Sequence, residues 1–281
     1  MLKTLKSRLT RAIYANPNLH MRFSGLNRLL GRTTPPAFSG WGMTTESSPP
    51  WVAGQGTLDR SFAAANDDLM KRLCEGTFLP TQFREESSLE ELMKQLMWRH
   101  YLVYWSAHYA SKSARTEKPT LVECGVCDGL TAFFACNGQS SADWRFHLYD
   151  AWEGMEGERL LASEKSLKGA YAFLSVENTK RNLAPFQDHL TYIKGYIPDT
   201  LTGDEHPAQV SWMHIDMNSA KATLGALEYF YDRIAPGGVI LFDDYGVVGY
   251  SDTRATVDTF FEGRRGVLFP TPTGQAMFFK L

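Results

Sequence analysis

The 281-residue sequence is poor in cysteine and has no long hydrophobic run. Four cysteines are too few for a disulfide scaffold, and their scarcity favours a reducing compartment. No apolar stretch approaches the roughly 18 residues that a membrane span needs, so no transmembrane segment is predicted. An excess of one charge is also missing, since 29 basic side chains face 31 acidic ones. This balance excludes a generally basic nucleic-acid binder, and we expect a soluble cytoplasmic protein.

The N-terminal end is the exception to this balance. Seven basic residues precede the first acid, Glu46: Lys3, Lys6, Arg8, Arg11, Arg22, Arg28 and Arg32. Apolar residues recur at helical spacing among them: Leu2, Leu5, Leu9 and Ile13. The pattern predicts a basic helix that packs on its own domain or on a subunit. A membrane-surface helix and a targeting peptide are the alternatives.

Residues 33–56 are rich in Pro, Gly and Ser and predict a long loop. Because Trp41 and Trp51 are large aromatics that usually become buried, we interpret this loop as a lid. A helical pattern covers residues 58–73, and another begins with a capping box at Ser88. The predicted division is an extension with its loop at 1–57, a helical segment at 58–119 and a core domain at 120–281.

From residue 120 onwards, strand and helix patterns alternate. Strands are predicted at 121–123, 146–149, 190–193, 210–215 and 239–242, and helices at 130–135, 171–183 and 224–234. Pro236-Gly237-Gly238 is expected to end the last helix. Residues 266–269 and 275–281 flank a turn and predict an antiparallel hairpin. The fold class is therefore α/β: a doubly wound, mostly parallel seven-stranded sheet with an antiparallel C-terminal hairpin and a helical N-terminal extension.

Acidic residues collect at the carboxyl ends of these strands, where such sheets bind ligands. They are Glu123, Asp150, Asp216, Asp243 and Asp244. Helix capping explains one such acid but not five together. Since clustered acids repel one another, the pattern indicates a cation or a hydroxyl-rich ligand.

The first strand-to-helix turn contains Gly125 and Gly129, where missing side chains let a ligand approach the backbone. The spacing is not that of a dinucleotide-binding turn. Asp150, at the end of the next strand, suits a ribose diol. Together these residues predict a nucleoside site. Cys124 and Cys127 have zinc-like spacing, but no second pair completes a zinc site.

Four motifs resemble those of one enzyme family. They are Val122-Glu123-Cys124-Gly125-Val126, Tyr149-Asp150-Ala151-Trp152-Glu153-Gly154, Lys194-Gly195-Tyr196 and Phe242-Asp243-Asp244-Tyr245-Gly246. In this order they resemble the macrocin O-methyltransferases, class I S-adenosylmethionine-dependent enzymes that often methylate sugar hydroxyls with a divalent metal. The resemblance covers about residues 121–281.

The resemblance implies roles for particular residues. The methionine part of S-adenosylmethionine is surrounded by Glu123, Gly125, Val126 and Gly129, with Met43 and Thr44 close by. Ribose and adenine are held by Asp150, Ala151 and Trp152, with Gly195 and Tyr196 nearby. The metal triad is Asp216, Asp243 and Asp244. Hard carboxylate oxygens suit Mg²⁺ or another divalent cation, which would acidify an acceptor hydroxyl.

The general base of the family is missing here. Its usual positions hold Asn218 and Ser219, neither of which is a base at neutral pH. His214 and Lys221 are the protein alternatives for this catalytic role beside Asp216, or the metal alone activates the hydroxyl.

Three functions remain open. The first is an O-methyltransferase acting on a small hydroxylated acceptor, a sugar or glycoside, as a homo-oligomer. The second is a non-catalytic S-adenosylmethionine-binding protein that has lost its base. The third is a metal-dependent hydrolase, which would have no use for the glycine turn and Asp150.

Overall fold

A computed structural model describes residues 57–83, 89–203, 206–247 and 249–281. Seven strands in these residues form one sheet: β1 (Thr120–Cys124), β2 (Arg145–Asp150), β3 (Leu190–Lys194), β4 (Val210–Ile215), β5 (Ile234–Phe242), β6 (Gly266–Pro270) and β7 (Ala276–Lys280). Their spatial order is β3-β2-β1-β4-β5-β7-β6. Strands β1 to β5 run parallel, and β7 pairs antiparallel with both β5 and β6. The predicted sheet and its C-terminal hairpin are therefore confirmed.

Six α-helices lie in the described residues: α1 (Thr57–Cys74), α2 (Leu89–Ser113), α3 (Leu130–Asn137), α4 (Val176–Asn182), α5 (Ala220–Phe230) and α6 (Ser251–Phe261). Helices α1 and α2 pack with α3, whereas α5 packs with α6. Alternate residues of β5 supply the two cores between helices and sheet. Val239 and Leu241 belong to the first core, and Ile240 and Phe242 belong to the second.

Two predicted helix boundaries are wrong. Helix α4 begins only at Val176, because Ser175 caps it and accepts a hydrogen bond from the Asn178 N–H. Helix α5 ends at Phe230, and Pro236-Gly237-Gly238 lies inside β5 instead of following the helix. Gly237 sits against the end of α2, where Ser113 Oγ donates to its carbonyl at 2.7 Å. The glycine thus permits a close approach of two backbones.

Several predictions concern residues outside the described ranges. They are the basic N-terminal helix, the loop at 33–56 with Trp41 and Trp51, and the capping box at Ser88. None of the helices in the described part of the chain combines the length and the apolarity needed to cross a membrane. All four cysteines are free thiols.

Candidate active site

A cavity of about 890 Å³ opens over the carboxyl ends of β1, β2, β4 and β5. This is the edge at which open α/β sheets bind ligands. Nine residues predicted from the sequence line it: Gly125, Asp150, Ala151, Gly195, Tyr196, Asp216, Lys221, Asp243 and Asp244. The fold therefore brings the predicted nucleoside turn and the predicted acid cluster into one space.

The turn after β1 is shaped by Gly125. Its φ of +90° lies in the left-handed region, and its N–H donates to the Tyr149 carbonyl at 2.8 Å. A Cβ at this position would lie 1.8 Å from the carbonyl oxygen of Asp216. Glycine is therefore required both by the backbone angle and by the contact between the ends of β1 and β4.

Asp150 stabilises the same turn through its carboxylate. Oδ2 accepts the N–H groups of Val126 and Cys127, both at 2.8 Å, and Oδ1 accepts the N–H of Trp152 at 2.6 Å. Burial raises the pKa of the Asp150 carboxyl, and the three N–H bonds oppose that rise. Because a carboxylate offers about four acceptor positions, one stays open for a ligand.

Other residues predicted to contact the cofactor lie behind the cavity wall. Val126 is buried, Gly129 packs against Leu183, and the Trp152 indole donates to Thr179 Oγ1 at 2.9 Å. Glu123 is fully buried and belongs to a polar cluster under the sheet edge. Met43 and Thr44 lie outside the described residues.

The acids at the ends of β4 and β5 form the second part of the site. Asp243 is 2% exposed, and its two oxygens have separate partners. Oδ2 forms an ion pair with Arg99 of α2, and Oδ1 accepts a hydrogen bond from Gln275 Nε2 at 2.9 Å. The helical segment before the sheet thus supplies a positive charge directly to the acid cluster.

Asp244 is oriented by Asn218, one of the two residues at which the resemblance had led us to look for a base. Asn218 Nδ2 donates to Asp244 Oδ2 at 2.8 Å, and its Oδ1 accepts from Tyr171 Oη at 2.9 Å. Burial, followed by repulsion from Asp216, raises the pKa of Asp244 to about 7. Asn218 is therefore a hydrogen-bonding link between neighbouring side chains.

The two alternative bases lie in different places. Lys221 is exposed and lines the cavity. His214 is fully buried below it, and its Nδ1 lies 2.7 Å from Glu123 Oε1. Burial raises the pKa of Glu123, and the bond to His214 opposes that rise.

Several lining residues were missed by sequence reasoning, namely Gln82, Arg99, Tyr171 and Tyr250. Arg99 had no distinct signal, because it is one of several charged residues along α2. Gln82 and Tyr171 had none, since tertiary contacts alone bring them to the cavity.

The donor set of the cluster fits a divalent cation. One donor atom each from His214, Asp216 and Asp243 lie within 4.8 Å of one another. Asp216, Asp243 and Asp244 lie close together, and the guanidinium of Arg99 pairs with only one of them, Asp243, among the described residues, so negative charge remains for a cation to balance. A nucleoside cofactor also fits, because the Gly125 turn and Asp150 line the cavity side by side.

Residues 122–245 match the sequence model of a family described as a methyltransferase domain. This segment is similar in sequence to known methyltransferase domains. It contains the nine predicted residues that line the cavity, whereas Gln82, Arg99 and Tyr250 lie outside it.

The chain is similar to a curated protein of Streptomyces olivaceus. This relative is the 8-demethyl-8-(2,3-dimethoxy-alpha-L-rhamnosyl)-tetracenomycin-C 4'-O-methyltransferase, 26% identical over 163 residues, which are 53% of this chain and 60% of the relative. The chain thus spans less than two thirds of that relative's length. The O-methyltransferase NovP has a similar structure, with a TM-score of 0.57, 16% identity and coverage of 66% of this chain and 80% of NovP. These findings confirm the resemblance to the macrocin O-methyltransferases, and NovP supports the fold.

Proposed function

We propose that this protein is an S-adenosylmethionine-dependent O-methyltransferase that acts on a small hydroxylated acceptor with the help of a divalent cation. One observation carries the proposal: the Gly125 turn and the acids Asp216, Asp243 and Asp244 line the same cavity. Its volume of about 890 Å³ is large enough for a cofactor and an acceptor side by side.

The turn after β1 supports the cofactor part of this proposal. When bound, S-adenosylmethionine supplies a methyl group on a positively charged sulfonium. Gly125 lines the cavity beside Asp150, and the open acceptor position of Asp150 suits a ribose hydroxyl. Tyr196 borders the same space with Arg159 stacked 4.5 Å from its ring. The chain's own task here is to bind and orient the cofactor.

The acid cluster supports the acceptor part. A divalent cation held by these acids supplies a Lewis acid to an acceptor hydroxyl. Asn218 orients Asp244, and Arg99 and Gln275 orient Asp243. Of the two alternative bases, only Lys221 lines the cavity, so it is the protein group we retain for receiving the hydroxyl proton.

The acceptor class is proposed from the curated relative, whose name describes transfer to a 4'-oxygen of a rhamnosyl tetracenomycin. A sugar or glycoside is consistent with a cavity lined by both acids and aromatic side chains. We retain the predictions of a homo-oligomer and a cytoplasmic location from the sequence, and light scattering would measure the mass of the assembly.

Replacing Asp150 by alanine should weaken S-adenosylmethionine binding by about 1.5–3 kcal/mol, the range for a hydrogen bond to a charged group. The change removes both the acceptor for ribose and the partner of three backbone N–H groups. Isothermal titration calorimetry measures the affinity. Asp143→Ala is the control, because Asp143 lies on the surface and pairs only with Lys118 and Arg145. An unchanged dissociation constant for Asp150→Ala would refute this assignment.

The function itself is tested by calorimetry with S-adenosylmethionine followed by a methyl-transfer assay on a panel of glycosides. We expect binding and turnover, loss of turnover with a chelator, and recovery when a divalent cation is added. Turnover that persists in the chelator would remove the cation from the mechanism.

A non-catalytic binding protein is the second candidate. Asn218 at the position of the family's base favours it, since an amide does not accept a hydroxyl proton. Cofactor binding without turnover on any acceptor, while cation binding is intact, would support this candidate.

A further inference from the structure

His214 on β4 has an unusual environment beneath the cavity. Its side chain is fully buried, and Nδ1 is paired with Glu123 Oε1 at 2.7 Å. The other ring nitrogen, Nε2, is buried and has no hydrogen-bond partner among the residues that the structure describes. Leaving a buried polar atom unpaired is unfavourable, so such an atom calls for an explanation.

The unpaired nitrogen is directed at the acid cluster. His214 Nε2 lies 3.9 Å from Asp243 Oδ1, which is too long for a hydrogen bond. Two donor atoms on one ion, each about 2.0–2.2 Å from it, lie at most about 4.4 Å apart. A cation bound by both atoms therefore explains the 3.9 Å distance between His214 Nε2 and Asp243 Oδ1.

Asp243 is held in the orientation that such a site needs. Arg99 binds its Oδ2, so Oδ1 is the oxygen that faces His214. Oδ1 also accepts one hydrogen bond from Gln275, and a carboxylate oxygen has a second lone pair available. Asp216 brings a third donor atom within 4.8 Å of the other two, whereas Asp244 is hydrogen-bonded to Asn218.

Glu123 contacts the other ring nitrogen of His214. Its Oε1 contacts His214 Nδ1 and also accepts from Thr131 Oγ1 at 2.6 Å. A histidine that binds a metal through one nitrogen usually donates the other N–H to a carboxylate or carbonyl. That pairing places the proton on Nδ1 and leaves the lone pair of Nε2 free.

We propose that the cation site of this protein consists of His214, Asp216 and Asp243, with Glu123 orienting His214. Because imidazole suits transition metals, the site prefers ions such as Mn²⁺ and Co²⁺ to Mg²⁺. The inference deepens the proposed function, on whose cation it rests, and it replaces Asp244 as a direct ligand by His214.

The test uses the full chain with Mn²⁺ or Co²⁺ alone. Pulsed electron paramagnetic resonance of the Mn²⁺-loaded wild-type protein should detect coupling to a histidine nitrogen, a result that needs no variant. In a Co²⁺ titration followed by visible absorption, Glu123→Gln should weaken binding by about 10- to 100-fold. Mg²⁺ should displace Co²⁺ only in large excess.

His100 provides a matched control, since it is also buried, has an unpartnered Nδ1 and stacks on Phe134 at 4.5 Å. His100→Gln should bind Co²⁺ like the wild type, whereas His214→Gln should lose the nitrogen coupling. The proposal is overturned if wild-type Mn²⁺ shows no nitrogen coupling, or if Mg²⁺ displaces Co²⁺ at equal concentration. Nitrogen coupling without methyl transfer would count against the proposed function alone, and turnover without coupling against this site alone.

Discussion

Asparagine in place of Asp243 is expected to lower methyl transfer by roughly 10²–10³-fold, the scale for losing one preorganised electrostatic partner. The substitution removes the charge that Arg99 neutralises and leaves a guanidinium without its partner beside Asp216. It keeps the side-chain volume, and an amide oxygen is still available to Gln275. The fold should therefore survive while the cation site fails. Steady-state kinetics with added cation measures the effect.

Two controls accompany this variant. Affinity for S-adenosylmethionine should change little, because Asp150 and Gly125 lie at the ends of β2 and β1. Asp258→Asn should keep full turnover, since Asp258, on α6, accepts a hydrogen bond from the Tyr245 hydroxyl and does not line the cavity. Full activity of Asp243→Asn would contradict the assigned role. A loss of thermal stability large enough to account for the loss of turnover would contradict it as well.

Alanine at Gly125 should lower the free energy of unfolding by about 2–5 kcal/mol and abolish cofactor binding. Its left-handed φ costs about 1–2 kcal/mol for a residue with a Cβ, and overpacking adds about 1–3 kcal/mol. The overlap with the Asp216 carbonyl oxygen, 1.8 Å from the Cβ position, forces β1 and β4 apart. Urea denaturation and calorimetry measure the two effects.

A substitution at Gly76 separates the two causes of destabilisation, the left-handed backbone angle and the steric overlap. Its φ of +69° is also left-handed, but a Cβ there would meet no atom within 4 Å. Gly76→Ala should therefore cost only about 1–2 kcal/mol and leave cofactor binding unchanged. Equal destabilisation by both variants would mean that the turn relaxes at no cost and that Gly125 matters only for its backbone angle.

Local patterns were sufficient for most of the sheet. Short apolar runs bounded by turn residues located all five parallel strands, because strands buried on both faces are almost continuously hydrophobic. The acids Asp150, Asp216, Asp243 and Asp244 could be assigned to one edge, since all parallel strands end on the same side. That argument needs only the strand positions and the direction of the chain.

Boundaries failed where a distant contact outweighed local propensity. Pro236-Gly237-Gly238 has the composition of a helix terminator, yet it lies within β5 because α2 packs against Gly237. The helix predicted from residue 171 starts later, because Tyr171 has a φ of +66° and its hydroxyl reaches Asn218. Neither contact leaves a trace in the neighbouring sequence.

The amino-acid pattern alone established the class of fold, the edge of the sheet at which the cavity opens and the carboxylates that collect there. Periodicity and the parallel arrangement of strands depend on neighbours in the chain, so these features follow from local composition. Which residues pair with those carboxylates depends on the tertiary structure. Arg99 precedes Asp243 by more than a hundred residues, and Glu123 and His214 lie on neighbouring strands that are far apart in sequence. Only packing decides which charges meet, because ion pairs and hydrogen bonds depend on distance in space.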